Sequence, residues 1–163
     1  SVRDRWSSII LSDLKIPHSL SSDLSDALLA QGVKVRRDMK CLGVNVSPIW
    51  SAYYGSKLMD DEALKQLVET IGLQFHTGGF DKVRLIVFSQ RDTEYTARLG
   101  RLLNVPTSIA VYDANPVKQL EEVMGCGKLI ATKYHACYFA HLGHVPYMSI
   151  SRHPKNLTVP VSG

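Results

Sequence analysis

The chain is poor in the features that let a protein do without a packed core. Its three cysteines among 163 residues, Cys41, Cys126 and Cys137, lie far apart in sequence, which argues against a disulfide framework and against a thiolate zinc site. No apolar run approaches the roughly 20 residues needed to span a bilayer. The opening Ser1-Val-Arg-Asp-Arg-Trp6 lacks the apolar stretch of a signal peptide, although a chain that does not begin with Met is open to having been cut from a longer one. Absent, too, are a Gly-x-Gly-x-x-Gly turn and a Gly-rich loop ending in Lys-Ser or Lys-Thr, so a bound dinucleotide or nucleoside triphosphate is disfavoured. No Ser sits in a Gly-x-Ser-x-Gly turn, which removes the usual sign of a hydrolase nucleophile. Reduced thiols and no apolar leader fit a cytoplasmic protein.

What is present is ordinary for one globular domain: 45% hydrophobic and 21% charged residues. The length suits a single core and is too short for two of ordinary size. The net charge of +4, from 19 basic against 15 acidic residues, is spread through the chain. Only Lys34, Arg36, Arg37 and Lys40 form a dense basic cluster. That cluster holds no aromatic residue to stack on a base, so it reads as a solvated loop and no nucleic-acid partner is expected.

From about residue 39 the sequence alternates strands with helices. Met39 to Val46 reads as a strand, followed by Leu64, Leu67, Val68 and Ile71 at helical spacing behind the acidic start Asp60-Asp-Glu62. Val83 to Ser89 is a buried strand. Asp92 then opens and caps a helix that places Tyr95, Leu99, Leu102 and Leu103 on one face. Ser108 to Tyr112 is a third strand, after which Asn115 caps and Pro116 starts a helix carrying Val117, Leu120 and Met124. Lys128 to Thr132 forms a fourth strand and Tyr134 to Leu142 a helix closed by Gly143, with Pro146 beyond and a last strand at Tyr147 to Ser151. Residues 1–38 read as a helical lead-in, with helices near Trp6 to Leu14 and from Leu20 to Ala30, the second started by Ser21, Ser22 and Asp23 and ended by Gly32.

Short apolar strands alternating with helices imply an α/β fold, a Rossmann-like doubly wound parallel sheet covered on both faces, over residues 39–155. Ligands of such sheets sit beyond the carboxyl ends of the strands, where helix N-termini offer N–H groups to anions. Five segments meet at that edge: Asn45 to Trp50, Ser89 to Asp92, Tyr112 to Asn115, Thr132 to His135, and Ser151 to Lys155.

Among them the Lys133-Tyr-His135 junction carries the most chemistry. It sets a fixed cation and a proton carrier tunable near pH 7 at the point where a strand turns into a helix. A strand end, a helix N-terminus and an ammonium together make a site for a small anion. His141 and His144 do not complete a metal site with His135, because six residues along a helix rotate a side chain by roughly 240° and His144 lies past Gly143. Tyr134, Tyr138 and Phe139 read as core packing.

Several of these segments also carry a family likeness. Ser1-Val-Arg-Asp-Arg-Trp-Ser7, Val87-Phe-Ser-Gln-Arg-Asp92, and above all Ala131-Thr-Lys-Tyr-His-Ala136 with Leu142-Gly-His-Val-Pro146 and Ser151-Arg-His-Pro-Lys155 resemble the carboxyl-terminal half of the polysaccharide pyruvyl transferase family. The likeness runs over essentially the whole chain. It implies one half of a two-domain transferase of the GT-B type, with the N-terminal partner domain absent from these 163 residues. It further implies pyruvyl transfer from phosphoenolpyruvate to two hydroxyls of a glycan or lipid-linked sugar acceptor, giving a ketal of bacterial cell-surface polysaccharide without a cofactor or metal. By the same likeness His135 is the general acid, and Lys133 holds the donor where the family usually has Arg. Arg3 belongs to a recurring Arg-Asp element, and Lys155 to a basic position after the last strand. Ser89 and Gln90, at the end of the second strand, complete the expected substrate contacts. The alternatives are a GT-B-like glycosyltransferase domain binding a nucleotide sugar, and a non-catalytic binding domain of the same fold.

Overall fold

The arrangement of buried residues along each strand shows how the sheet is built. In a computed structural model that describes residues 5–19, 26–29, 32–48 and 55–150, Cys41 to Asn45 are buried without interruption. Such a run belongs to a strand covered on both faces. This is β1 (Asp38–Asn45), the middle of a five-stranded sheet. Beside it lie β2 (Lys82–Ile86), β3 (Thr107–Ala110), β4 (Cys126–Ala131) and β5 (Tyr147–Ser149), in the order β3-β2-β1-β4-β5. Every neighbouring pair is parallel.

Six helices complete the described elements: α1 (Arg5–Asp13), α2 (Asp26–Leu29), α3 (Lys57–Thr77), α4 (Thr93–Leu102) behind a 3-10 turn at Gln90–Asp92, α5 (Pro116–Met124) and α6 (Tyr134–Leu142). Period-two alternation in the strands divides the core. Leu42, Val44, Val83, Leu85 and Ile130 point to the face covered by Leu64, Ile71 and Phe75 of α3 and by Tyr95 and Leu99 of α4. Cys41, Ile86, Leu129 and Ala131 point to the opposite face, against Leu120 and Val123 of α5, Cys137, Phe139 and Ala140 of α6, and Leu28 of α2. Fully burying each large aliphatic side chain contributes about 1.5–3 kcal/mol, so the two layers flanking β1 carry most of the apolar stabilisation.

The expected doubly wound α/β architecture is therefore present, while the ends of its elements shift. β2 and β3 stop before Val87 and Val111, and Val111 and Tyr112 stand in solvent. Leu102, expected on the buried face of α4, is the last residue of that helix and is 51% exposed. α5 starts as expected, with the Asn115 side chain accepting from the N–H groups of Val117 and Lys118 and with Pro116 in the first turn. α6 has the expected bounds. Ser21, Ser22 and Asp23 lie outside the described residues.

Tertiary contacts change one sequence expectation and add to another. The basic cluster is only partly a solvated loop, because Arg37 donates to the carbonyls of Met124 (3.4 Å), Gly143 and His144 (2.9 Å), capping the ends of α5 and α6 at once. The cysteines, distant in sequence, include one pair in contact: Cys41 and Cys126 stay free thiols with their sulfurs 3.9 Å apart. Glycine makes that contact possible. A Cβ on Gly43 would lie 2.8 Å from the Cys126 sulfur, and one on Gly127 would lie 2.5 Å from the backbone oxygen of Met39, where the β1–β4 register shifts.

Because the atoms facing Gly127 are backbone, they cannot rotate away, and Gly127→Ala should lower unfolding free energy by about 1–3 kcal/mol. Gly72, inside α3 with nothing within 4 Å of its added Cβ, should respond oppositely, Gly72→Ala gaining about 0.5–1 kcal/mol. Urea denaturation of the two variants measures both, and a Gly127→Ala protein as stable as the parent would contradict the close approach of β1 and β4.

Candidate functional site at the strand switch point

The order β3-β2-β1-β4-β5 places a topological switch point between β1 and β4. The chain leaves β1 toward α3 on one face and leaves β4 toward α6 on the other, the arrangement that in open α/β sheets leaves a crevice beyond the carboxyl ends of the two strands. Asn45, the last residue of β1 and 0% exposed, organises the floor of the crevice. Its amide Nδ2 donates to the Ile86 carbonyl (3.0 Å) at the end of β2, and its Oδ1 accepts from the Lys133 N–H (3.3 Å). Its own carbonyl accepts from the Thr132 N–H at 3.0 Å. One side chain thus ties together the ends of three strands whose ladders are running out.

Above that floor lies a charge pair. Asp92, at the end of the 3-10 turn after β2, is 2% exposed. Ser47, two residues beyond β1, donates its hydroxyl to Asp92 Oδ1 at 2.8 Å. The Lys133 ammonium sits 2.5 Å from Oδ2, as an ion pair rather than a directed hydrogen bond. Local sequence suggested that the Asp92 side chain caps α4. It occupies the N-cap position but makes no capping bond, because Ser47 and Lys133 claim both its oxygens. Neither partner is near Asp92 in sequence, so no local pattern could have announced them.

Lys133 is the N-cap residue of α6, with extended backbone (φ −90°, ψ 140°), and His135 lies in the first turn, half-buried. The Tyr134 ring meets the His135 ring edge-on at 5.3 Å and stacks on Tyr138 at 5.7 Å. The Tyr138 hydroxyl donates to Asp26 at 2.6 Å, and Phe139 faces the core at 3% exposure. The aromatic residues of α6 therefore fix the helix, and Lys133 and His135 stand at its N-terminal end. Among the described residues no group of three His, Cys, Asp or Glu side chains is placed to hold a metal ion.

Of the other expected contacts, Ser89 and Gln90 fall among the described residues. Ser89 precedes the 3-10 turn, where its carbonyl accepts from the Asp92 N–H (2.9 Å), so it serves the turn. Gln90 lines a broad recess of about 720 Å³ with Thr93, Val111 and Tyr112, on the β3 side. Arg3 and Lys155 lie outside the described residues. A cleft of about 300 Å³, not anticipated from sequence, opens beside Pro48 and is lined by Asp60, Asp61, Arg91, Glu94, Tyr95 and Arg98. Two of its charges pair with each other, Arg98 with Asp61 at 2.6 Å. The Tyr95 phenol, donating to the Asp60 carbonyl, is pushed up to about 12 by burial and by the Asp60 charge, so it stays protonated.

The site defines an α/β protein whose strand switch point carries a buried ion pair, Lys133 with Asp92, and an imidazole in the first turn of α6. No family model, no curated protein and no solved structure matches the chain.

Removing the ammonium would leave Asp92 buried with only the Ser47 hydroxyl. Lys133→Met should therefore cost about 3 kcal/mol, the low end for breaking a buried pair, since the Lys133 side chain is 30% exposed. The double variant Lys133→Met/Asp92→Asn should recover most of that loss, because no uncompensated charge remains. Denaturation of the single and double variants checks the cycle; additive losses would mean that the pair is not coupled.

Proposed function

We propose that this chain is the carboxyl-terminal domain of a polysaccharide pyruvyl transferase, which takes phosphoenolpyruvate as donor and a glycan or lipid-linked sugar as acceptor, in the cytoplasm. The observation that carries this reading is the placement of Lys133 as the N-cap and His135 in the first turn of α6, the helix that starts beyond β4 at the β1–β4 switch point. A helix N-terminus and an ammonium favour carboxylate and phosphate, and an imidazole beside them can deliver a proton. Within this reading the donor half of the cleft lies here, and the half that selects the acceptor lies in a preceding Rossmann-like domain.

His135 gives its proton to the methylene carbon of phosphoenolpyruvate, using the electron pair of the carbon–carbon double bond. The positive charge that develops at C2 is shared with its enol-ester oxygen. One acceptor hydroxyl bonds to C2, and a second then displaces phosphate as its C–O bond breaks, closing the ketal. One hydroxyl proton returns to the His135 imidazole and the other leaves on phosphate. Lys133, with Arg3 and Lys155 as the further cations, holds the donor carboxylate and phosphate and stabilises the departing charge. Ser89 and Gln90, after the end of β2, are the remaining proposed donor contacts. No cofactor enters these steps.

Calorimetry with phosphoenolpyruvate should show binding to this chain, and His135→Ala should keep affinity within a few-fold. In the protein that carries both halves of the cleft, His135→Ala should slow phosphate release by about 10²–10⁴-fold. Tight uridine or guanosine diphosphate binding with none of phosphoenolpyruvate would replace this reading by a nucleotide-sugar transferase. Donor binding without phosphate release on any glycan acceptor would leave a non-catalytic domain.

A further inference from the structure

Lys133 cannot offer a whole positive charge to a ligand, because a carboxylate already stands behind it. Asp92 has little freedom to turn away: Ser47 holds one oxygen at 2.8 Å, its own N–H is bonded to the Ser89 carbonyl at 2.9 Å, and the residue is 2% exposed. The Lys133 side chain, by contrast, is 30% exposed, so a ligand in the crevice can reach it from the solvent side. An ammonium has three N–H donors, and the contact with Asp92 leaves donor capacity for a second acceptor. Any anion that takes up this capacity must sit near the Asp92 charge as well.

We propose that Asp92 is a specificity-determining residue that restrains the anion affinity of the switch-point crevice, its buried carboxylate sharing the Lys133 ammonium with the carboxylate or phosphate of the ligand. The ligand is taken from the pyruvyl-transfer reading, on which the inference to that extent rests. The sign of the effect comes from the ion pair alone. Lys133 and Asp92 sum to zero charge, so the pair orients an anion without attracting it at full strength. A compact phosphate dianion suffers most, since both its charges are held close to the Asp92 carboxylate with which it competes for the ammonium. For a reaction that ends in free phosphate this is a gain, because a clamp that gripped phosphate fully would retain the product.

The sign makes the inference testable. Asp92→Asn removes the charge while keeping one acceptor oxygen for the ammonium, its NH2 able to donate to the Ser47 hydroxyl oxygen, and Asp92→Ser removes the charge with a smaller group. At low ionic strength both should bind phosphoenolpyruvate and inorganic phosphate about tenfold tighter than the parent, the size expected for losing one like charge a few ångströms away. Asp81→Asn, which removes the same charge from an exposed position before β2 at the far end of the strands, should change neither affinity.

Calorimetric titration of the four proteins, with thermal melting of each, decides the matter. Unchanged or weaker binding in both Asp92 variants would overturn the role of Asp92, as would an equal gain in Asp81→Asn or loss of a cooperative melt in both Asp92 variants. Phosphoenolpyruvate binding of equal strength in the parent and Asp92→Asn would overturn that role and leave the donor reading standing. Tighter phosphate with no phosphoenolpyruvate binding anywhere would do the reverse. Failure of both ligands in every protein would overturn both.

Discussion

The edge of this sheet depends on the buried amide of Asn45. Where β1 ends, β2 and β4 lose their common neighbour, and backbone groups that would have continued the ladder need other partners. An unsatisfied buried backbone group costs about 1–3 kcal/mol, so a side chain that serves Ile86 and Lys133 at once offsets much more than its own burial. It also sets geometry. The Lys133 N–H is fixed by Asn45, the N-cap of α6 is fixed by Lys133, and the position of His135 follows from the first turn of that helix.

The same point explains why charge can be tolerated there. Asp92 is nearly inaccessible to water, and an isolated carboxylate in such a place would be neutralised or destabilising. It is kept by contacts from two other strand ends, Ser47 after β1 and Lys133 after β4. The ion pair therefore does what a continued hydrogen-bond ladder would have done, joining β2 to β4 across the end of β1. Any ligand reaching the Lys133 ammonium meets an interaction that already supports the fold, so binding strength and stability at this site draw on the same atoms.

Much of this could be read from the sequence, and what could not has a common cause. Strand and helix alternation is a local signal, as are the Asn115-Pro116 start of α5 and the Gly143 end of α6, and the structure reproduces each. The Lys133-Tyr-His135 junction was legible because three adjacent residues carry it. Asp92 was misread as a helix cap because its local context, an Asp before a helix, is the signature of one, while its partners lie 45 residues upstream at Ser47 and far downstream at Lys133. Arg37 was misread for the same reason: its acceptors at Met124, Gly143 and His144 are brought to it only by the fold. The Cys41–Cys126 contact likewise needs β1 and β4 to be neighbours, which no spacing of cysteines reveals.

Arg37 holds the far end of the helix that carries His135. A cation donating to the last carbonyls of a helix satisfies groups that have no intrahelical partner and complements the negative end of the helix dipole. Here one guanidinium does this for α5 and α6 together, and Gly143 brings their ends so close that a Cβ would lie 2.5 Å from Met124 Cγ. α6 is thus anchored at its N-terminus by Asn45 and at its C-terminus by Arg37, while Phe139 and Ala140 pack its middle onto the sheet. A nine-residue helix of its own would be marginal, since its nucleation is costly and only a few backbone bonds repay it. Pinned at both ends, it becomes a rigid mount for the imidazole. The basic loop that sequence alone assigned to solvent is, through Arg37, part of what positions the candidate acid.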